Sequence, residues 1–307
     1  MLNTMRLYVG VTDNGWFERL SAAKPDEVNF WKPSGGPDQS KLKRGEMFLF
    51  KLHAPQNFIV GGGYFVQFSK LPVSLAWQAF GEKNGVGSFA EFLTRIRKYQ
   101  KGDVGHDPTI GNIVLTQPFW FERDRWILAP SDWPMSTVQG KGYDALEGRG
   151  FEIYAQVQER LGTPIETVGA AEAVARYGRT EINYRLGQGG FQFLVTSAYR
   201  GRCAVTGEST LPVLQAAHIK PYSTEGPHAL ENGLLLRSDM HTLFDRGYLT
   251  VTPELRLEVS TKIKEQYSNG KLYYSYHGTE LRSLPADPKD RPAAEFLEWH
   301  NQNVFQF

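Results

Sequence analysis

The chain has 307 residues, 41% hydrophobic and 22% charged, the composition of an ordinary soluble globular protein of about two domains. No apolar run approaches the roughly 18 residues of a membrane span, the N-terminus lacks a basic region followed by a long apolar run, and the lone Cys203 excludes an intramolecular disulfide, so a reducing cytoplasm is expected. With 34 basic and 33 acidic side chains the net charge is +1, so any nucleic-acid partner must be met by locally placed basic residues rather than by overall charge.

In chain order, residues 5–12 (MRLYVGVT) alternate and are β-branched or aromatic, which predicts a first strand, and WFERLSAA predicts a short helix. Residues 46–52, 58–68 and 111–121 are further apolar, aromatic-rich runs bounded by turn signals. Between them Phe89, Phe92, Leu93 and Ile96 fall on one face of a helix with Ser88 as N-cap. Several short strands with few helices predict a small barrel or strongly curved sheet. Most aromatics of this half belong to its core. Three beside turns or glycines are candidates for a pocket in which a ring stacks on a base: Trp16 after Asn14-Gly15, Trp31 before Lys32-Pro33, and Tyr64 after the triple glycine 61–63.

The order FWKPSGG, LKRGEMFLFKL, NFIVGGGYF resembles the PUA-like superfamily, especially its EVE-type members, over roughly residues 5–160. That resemblance implies a curved β domain with a pocket for an extruded nucleobase, and hence recognition of a modified base.

Residues 150–198 turn helical and polar, and the Gly162-Thr163-Pro164 break sets a boundary. The expected organisation is a recognition domain over 1–161, a helical linker and lead-in over 162–198, and a catalytic domain over 199–307. Phe191, Leu194, Val195 and Ala198 recur at helical spacing, which predicts a core face. Between positions 176 and 202 five arginines (Arg176, Arg179, Arg185, Arg200 and Arg202) face one acid, Glu181, a local basic stretch suited to phosphates.

The chemistry concentrates between Tyr199 and Val251. His218 ends an apolar run in LQAAHIKPY, Asn232 precedes another in ENGLLL, and His241 and Asp245 lie at i, i+4 spacing after a helix-start signal, Ser238-Asp239. The local order is strand, loop, strand, helix. Phosphodiester hydrolysis needs a group that takes a proton from water and positive charge near the phosphorus. An imidazole supplies the first and a divalent ion held by N/O ligands the second.

The AAHI, NGLLL and H-x-x-x-D patterns closely resemble the HNH (ββα-metal) nucleases over about residues 186–260. Carried over, the resemblance makes His218 the general base, Asn232 the brace of the loop and the base, and His241 and Asp245 the metal ligands of the helix. His228 has no role in the pattern and is read as a surface or phosphate contact. Many members carry a further ligand just before the base, where this chain has Ala217, so a weakly held Mg²⁺ (or Mn²⁺) is expected rather than a tightly bound Zn²⁺. Paired cysteine motifs are replaced here by Cys203 and Thr206, so no structural zinc is expected and Cys203 reads as buried.

After Val251 the sequence predicts a strand with its turn, an aromatic strand over KLYYSYHG, and a terminal helix docking through Phe296, Leu297 and Trp299, with His277 and His300 structural. The whole reads as an α+β chain: an N-terminal PUA-like curved sheet or barrel followed by an HNH nuclease domain. The expected activity is cleavage of double-stranded DNA carrying a modified cytosine. The alternatives are a nuclease indifferent to modification and a non-cleaving nucleic-acid reader. A double-strand cut needs two active sites, which makes a homodimer a reasonable expectation.

Overall fold

Alternation of side chains across a strand decides the layout of the first half. In a computed structural model, which describes residues 5–34, 41–100, 105–134, 137, 139–162 and 187–307, the chain divides into two units, 1–185 and 186–307. The first unit contains β1 (Arg6–Thr12), α1 (Asn14–Ala23), β2 (Glu27–Lys32), β3 (Met47–Leu52), β4 (Phe58–Pro72), α2 (Val73–Phe80) and α3 (Phe89–Tyr99). It continues with β5 (Thr109–Trp120), β6 (Ile127–Leu128), β7 (Gly140–Asp144) and α4 (Gly148–Arg160). The strands form a seven-stranded sheet ordered β2-β5-β4-β3-β1-β7, with β6 on β4. Only β1 and β3 run parallel among these neighbours.

β1 sends Leu7 and Val9 to one face and Tyr8 to the other, and β3 does the same with Met47 and Leu49 against Phe48 and Phe50. Both faces are therefore apolar and both are covered. Trp16, Phe17 and Leu20 of α1 cover one, and Ile153, Tyr154 and Val157 of α4 cover the other. Each such side chain, once buried, contributes on the order of 1.5–3 kcal/mol. α1 starts where Asp13 accepts a hydrogen bond from the Trp16 amide at 2.8 Å, and α3 starts where Ser88 accepts from Glu91 at 3.2 Å.

Among the described residues the edge strands β2 and β7 do not pair, so the sheet is open rather than a closed barrel. Register shifts between Phe50 and Lys51, Gly62 and Tyr64, and Phe65 and Gln67 curve it. The triple glycine has a packing cause: a Cβ on Gly62 would lie 2.6 Å from the Phe119 ring and 2.7 Å from the Phe48 carbonyl oxygen.

The second unit contains α5 (Gln188–Ala198), β8 (Leu214–His218), β9 (Gly233–Arg237), α6 (Ser238–Asp245), β10 (Leu249–Val251), β11 (Leu257–Val259), α7 (Lys262–Tyr267), α8 (Lys271–Tyr274) and α9 (Ala294–Asn303). Phe191, Leu194 and Val195 of α5 are buried and pack toward β8 and β9, so this helix belongs to the second unit rather than to a lead-in. The aromatic strand expected over KLYYSYHG is instead the one-turn helix α8. Gly270, at φ +118°, turns the chain into it, and the Tyr274 hydroxyl donates to the Ser260 carbonyl at 2.9 Å. Local turns override the strand preference of tyrosine. Among the described residues no helix is long and apolar enough to cross a membrane.

Candidate active site

β8 and β9 are antiparallel, with His218 opposite Gly233, and the loop 219–232 between them carries Tyr222, His228 and Asn232. Asn232 closes that loop. Its side chain is fully buried; its oxygen accepts from the Lys220 amide at 2.8 Å, and its Nδ2 donates to the carbonyls of Lys220 and Pro227, each at 2.9 Å. Gly226 fits the pinch because a Cβ there would lie 1.9 Å from the Lys220 carbonyl oxygen. Gly233 is a glycine for another reason than the turn expected from Asn-Gly. Its backbone is extended, at φ −126°, but a Cβ would lie 2.6 Å from Val195 Cγ2 of α5.

That close approach of α5 lays the Phe191 ring flat on His218, with centroids 3.8 Å apart and planes at 13°. His218 Nε2 lies 2.9 Å from His228 Nδ1, and the Tyr222 ring stacks on His228 at 4.5 Å. Burial, reinforced by the nearby His228 and His241, pushes His218 down to about 4, so its imidazole is neutral at physiological pH. A neutral ring is the form able to accept a proton.

His241 and Asp245 share one face of α6, and the neighbouring stripe of the helix buries Met240 and Phe244. His241 Nδ1 lies 2.8 Å from Gln215 Oε1, which accepts from it and turns Nε2 toward Asp245. That Nε2 is 3.3 Å from Asp245 Oδ2. Two donors each about 2.1 Å from one ion, in adjacent positions, sit roughly 3 Å apart, so this pair has the spacing of a two-point chelate. Burial holds the Asp245 carboxyl above its ordinary value, partly offset by the nearby His241, and its side chain is 58% exposed. Among the described residues no group of three or more His, Cys, Asp or Glu forms a larger ligand set.

His218, His241 and Asp245 line one pocket of about 390 Å³, together with Phe191, Tyr222 and Ala216. Ala217 is fully buried and is not part of that wall; strand alternation gives the pocket position to Ala216. The helix begins at Ser238, where the Ser238-Asp239 signal places it. Arg237 is the cap residue, and its guanidinium pairs with Asp239 at 2.6 Å.

The remaining sequence candidates divide. Trp16 is 2% exposed and meets Phe30 and Phe50 edge-on, so this ring is core and a correction to its reading as pocket lining; Trp16, Phe17 and Leu20 at helical spacing were the signal for it. Trp31 is half-buried, donates to the Asn84 carbonyl at 2.8 Å and packs on Phe92. Tyr64 is half-buried, 6.2 Å from Phe119. Arg200 and Arg202 are exposed, whereas Arg176, Arg179 and Arg185 lie outside the described residues. His228, read from sequence as a surface or phosphate contact, has its Nδ1 turned to His218. His300 and His277 are structural: His300 is buried between Thr250 and the Phe244 carbonyl, and His277 Nδ1 accepts from the Val259 amide at 3.1 Å. Cys203 is buried and accepts from the Thr206 amide at 3.5 Å. Sequence reasoning missed Gln215 and the His218 partnership of His228, neither of which has a spacing rule.

Residues 203–252 match the family model described as HNH endonuclease. A solved structure of ASCH from Zymomonas mobilis is 12% identical, with 48% of this chain and 91% of that chain covered and a TM-score of 0.32. The structure titled modification dependent TagI restriction endonuclease is 14% identical, with 91% of this chain and 75% of that chain covered and a TM-score of 0.28. Both scores are too low to establish a shared fold. Among curated proteins none matches the chain. The family match identifies a nuclease module of the HNH type in the second unit, and such nucleases use a divalent metal ion.

Proposed function

We propose that the chain is a DNA endonuclease whose second unit cuts and whose first unit recognises a modified cytosine. The observation that carries the cleavage reading is one pocket holding a neutral, half-buried imidazole, His218, and a His241/Asp245 chelate, within the segment that matches the HNH endonuclease family. His218 takes the proton of the attacking water as it adds in line to phosphorus. An anionic phosphodiester in the pocket raises the proton affinity of that ring above its value in the free protein. Asn232 holds the loop that carries His228 and leads away from the base.

His241 Nε2 and Asp245 Oδ2 are the residues that would hold the ion. Two protein donors, with phosphate and water completing the shell, suit Mg²⁺, or Mn²⁺, over Zn²⁺. When bound, the ion supplies positive charge that stabilises the phosphorane and the departing 3′ oxygen, which yields 5′-phosphate and 3′-hydroxyl ends. Arg200 and Arg202, with Arg176, Arg179 and Arg185, are assigned to backbone phosphates. The modified-base reading rests on the PUA-like motifs of the first 160 residues and on Trp31 and Tyr64 as the remaining pocket candidates. A double-strand cut is assigned to a homodimer.

Nicking of supercoiled plasmid in Mg²⁺ or Mn²⁺ tests the cleavage reading. His218→Ala is expected to lower the rate by about 10²–10⁴-fold while the protein stays folded. Wild-type nicking by that variant would remove His218 as the base. Tight DNA binding without cleavage of any substrate by the wild-type protein would favour a non-cleaving reader.

A further inference from the structure

A neutral imidazole has one N–H and one lone pair, so a 2.9 Å contact between two ring nitrogens holds one proton between them. Two arrangements satisfy the His218–His228 contact. In one, His228 Nδ1–H donates to His218 Nε2; the His218 lone pair is then engaged and its Nδ1 already carries a hydrogen, so it has no site for a proton from water. In the other, His218 Nε2–H donates to His228 Nδ1, and His218 Nδ1 is left with its lone pair. Only the second is competent. Among the described residues the bond to His228 is the one side-chain hydrogen bond His218 makes, so nothing else in the pocket selects the tautomer. Phe191 fixes the plane of the ring but offers no hydrogen-bond partner.

His228 is itself held in place. The Tyr222 ring stacks on it with planes at 18°, and the preceding residue, Pro227, is tied by its carbonyl to Asn232. Gly226, one residue further back, sits in the pinch closed over Lys220. These constraints converge on a ring whose Nδ1 points at His218. We infer that His228 is a positioning residue that holds His218 in the Nε2–H tautomer and shares the charge it acquires, an inference that rests on the endonuclease reading.

The proton step balances. A water O–H bond breaks, its hydrogen goes to His218 Nδ1, and the electron pair of that bond becomes the new O–P bond. The P–O bond to the 3′ carbon side breaks with its pair on oxygen, which takes a proton from solvent. His218 is now an imidazolium, and its Nε2–H bond to His228 becomes charge-assisted, so positive charge spreads over two rings rather than residing on one half-buried ring. The partial burial that disfavours the imidazolium of His218 is what gives this sharing its value. His228 therefore does for a half-buried base what a carboxylate does for a catalytic histidine elsewhere, without placing a negative charge beside the phosphate.

The test uses the full-length protein with His228→Phe, which keeps an aromatic ring against Tyr222 but has no acceptor, and His228→Asn, whose amide oxygen can take the place of Nδ1. In the phenylalanine variant kcat for plasmid nicking is expected to fall at least about 10-fold with KM unchanged, and the asparagine variant to recover most of that loss. Heteronuclear NMR of the ring nitrogens is expected to find His218 as the Nε2–H tautomer in the wild type and as a mixture in His228→Phe. A merely structural role would raise KM or lower Tm in both variants alike and leave asparagine no better than phenylalanine. Wild-type kcat in His228→Phe, or an Nδ1–H tautomer of His218 in the wild type, overturns the inference. If His228→Phe fails to fold, the asparagine variant and the wild-type spectrum still decide it. The endonuclease reading fails differently: the wild type then cleaves nothing, or His218→Ala cleaves as well as the wild type, and either result takes this inference with it.

Discussion

Asn232 satisfies three backbone groups of one loop with a single buried amide: the Lys220 N–H and the carbonyls of Lys220 and Pro227. Asn232→Ala leaves them without that partner, at a cost of about 2–4 kcal/mol in unfolding free energy. Asn232→Asp is expected to cost more, since a carboxylate accepts but cannot donate to two carbonyls. Denaturant unfolding measures both, and an Asn232→Ala protein within about 0.5 kcal/mol of wild type removes the brace. The residue was legible because an Asn-Gly pair between two apolar runs stands out; its bonding pattern was not, since it depends on a loop folding back over twelve positions. His218, His241 and Asp245 were legible for a similar reason, as short spacings on a strand end and a helix face. The partners of the two histidines were not. His228 reaches His218 around the loop, and Gln215 reaches His241 across 26 positions, contacts fixed by tertiary packing rather than by period.

At the scale of elements, α9 is held to the nuclease unit by one polar side chain as well as by apolar ones. His300 Nε2 lies 3.2 Å from the Phe244 carbonyl of α6, its Nδ1 lies 2.8 Å from the Thr250 hydroxyl of β10, and its ring lies on Phe244 at 3.8 Å. Burial pushes His300 down to about 4, whereas an unfolded histidine titrates near 6.5. Between those values the unfolded chain binds a proton that the folded chain refuses, so the stability present above about pH 6.5 is lost as pH falls toward about 4. His218 adds a loss of the same sign. Comparing wild type with His300→Gln isolates one of them. The wild type is expected to be the more stable at pH 7, with a gap that narrows by up to about 3 kcal/mol on going to about pH 4. A gap that stays constant in thermal melts would mean that His300 is protonated in the fold. The terminal helix itself was legible from sequence, although the residues it buries most deeply are Leu297 and His300 rather than Phe296 and Trp299.

At the scale of the molecule, cleavage and recognition are assigned to separate units, 186–307 and 1–185, and a net charge of +1 gives no general attraction to DNA. Discrimination between DNAs should then be a property of binding that survives loss of the chemistry. Short apolar, aromatic-rich runs between turn signals made the curved sheet of the first unit legible, but not its recognition surface: the same aromatic density that builds the core conceals any ring set aside for a base, as Trp16 demonstrates. Binding by the full-length His218→Ala protein is therefore the sharper measurement, because it removes turnover and leaves Trp31 and Tyr64 untouched. Against otherwise identical duplexes with cytosine, methylcytosine or hydroxymethylcytosine, it is expected to prefer one modified duplex at least about 10-fold, a difference of about 1.4 kcal/mol. The wild type should cleave the same duplex faster by a similar factor. Equal affinity for all three, with equal cleavage rates by the wild type, would remove modification dependence and leave a nuclease indifferent to it. A cleavage preference without a binding preference would instead move discrimination into the nuclease unit, where the contacts around His218 would have to account for it.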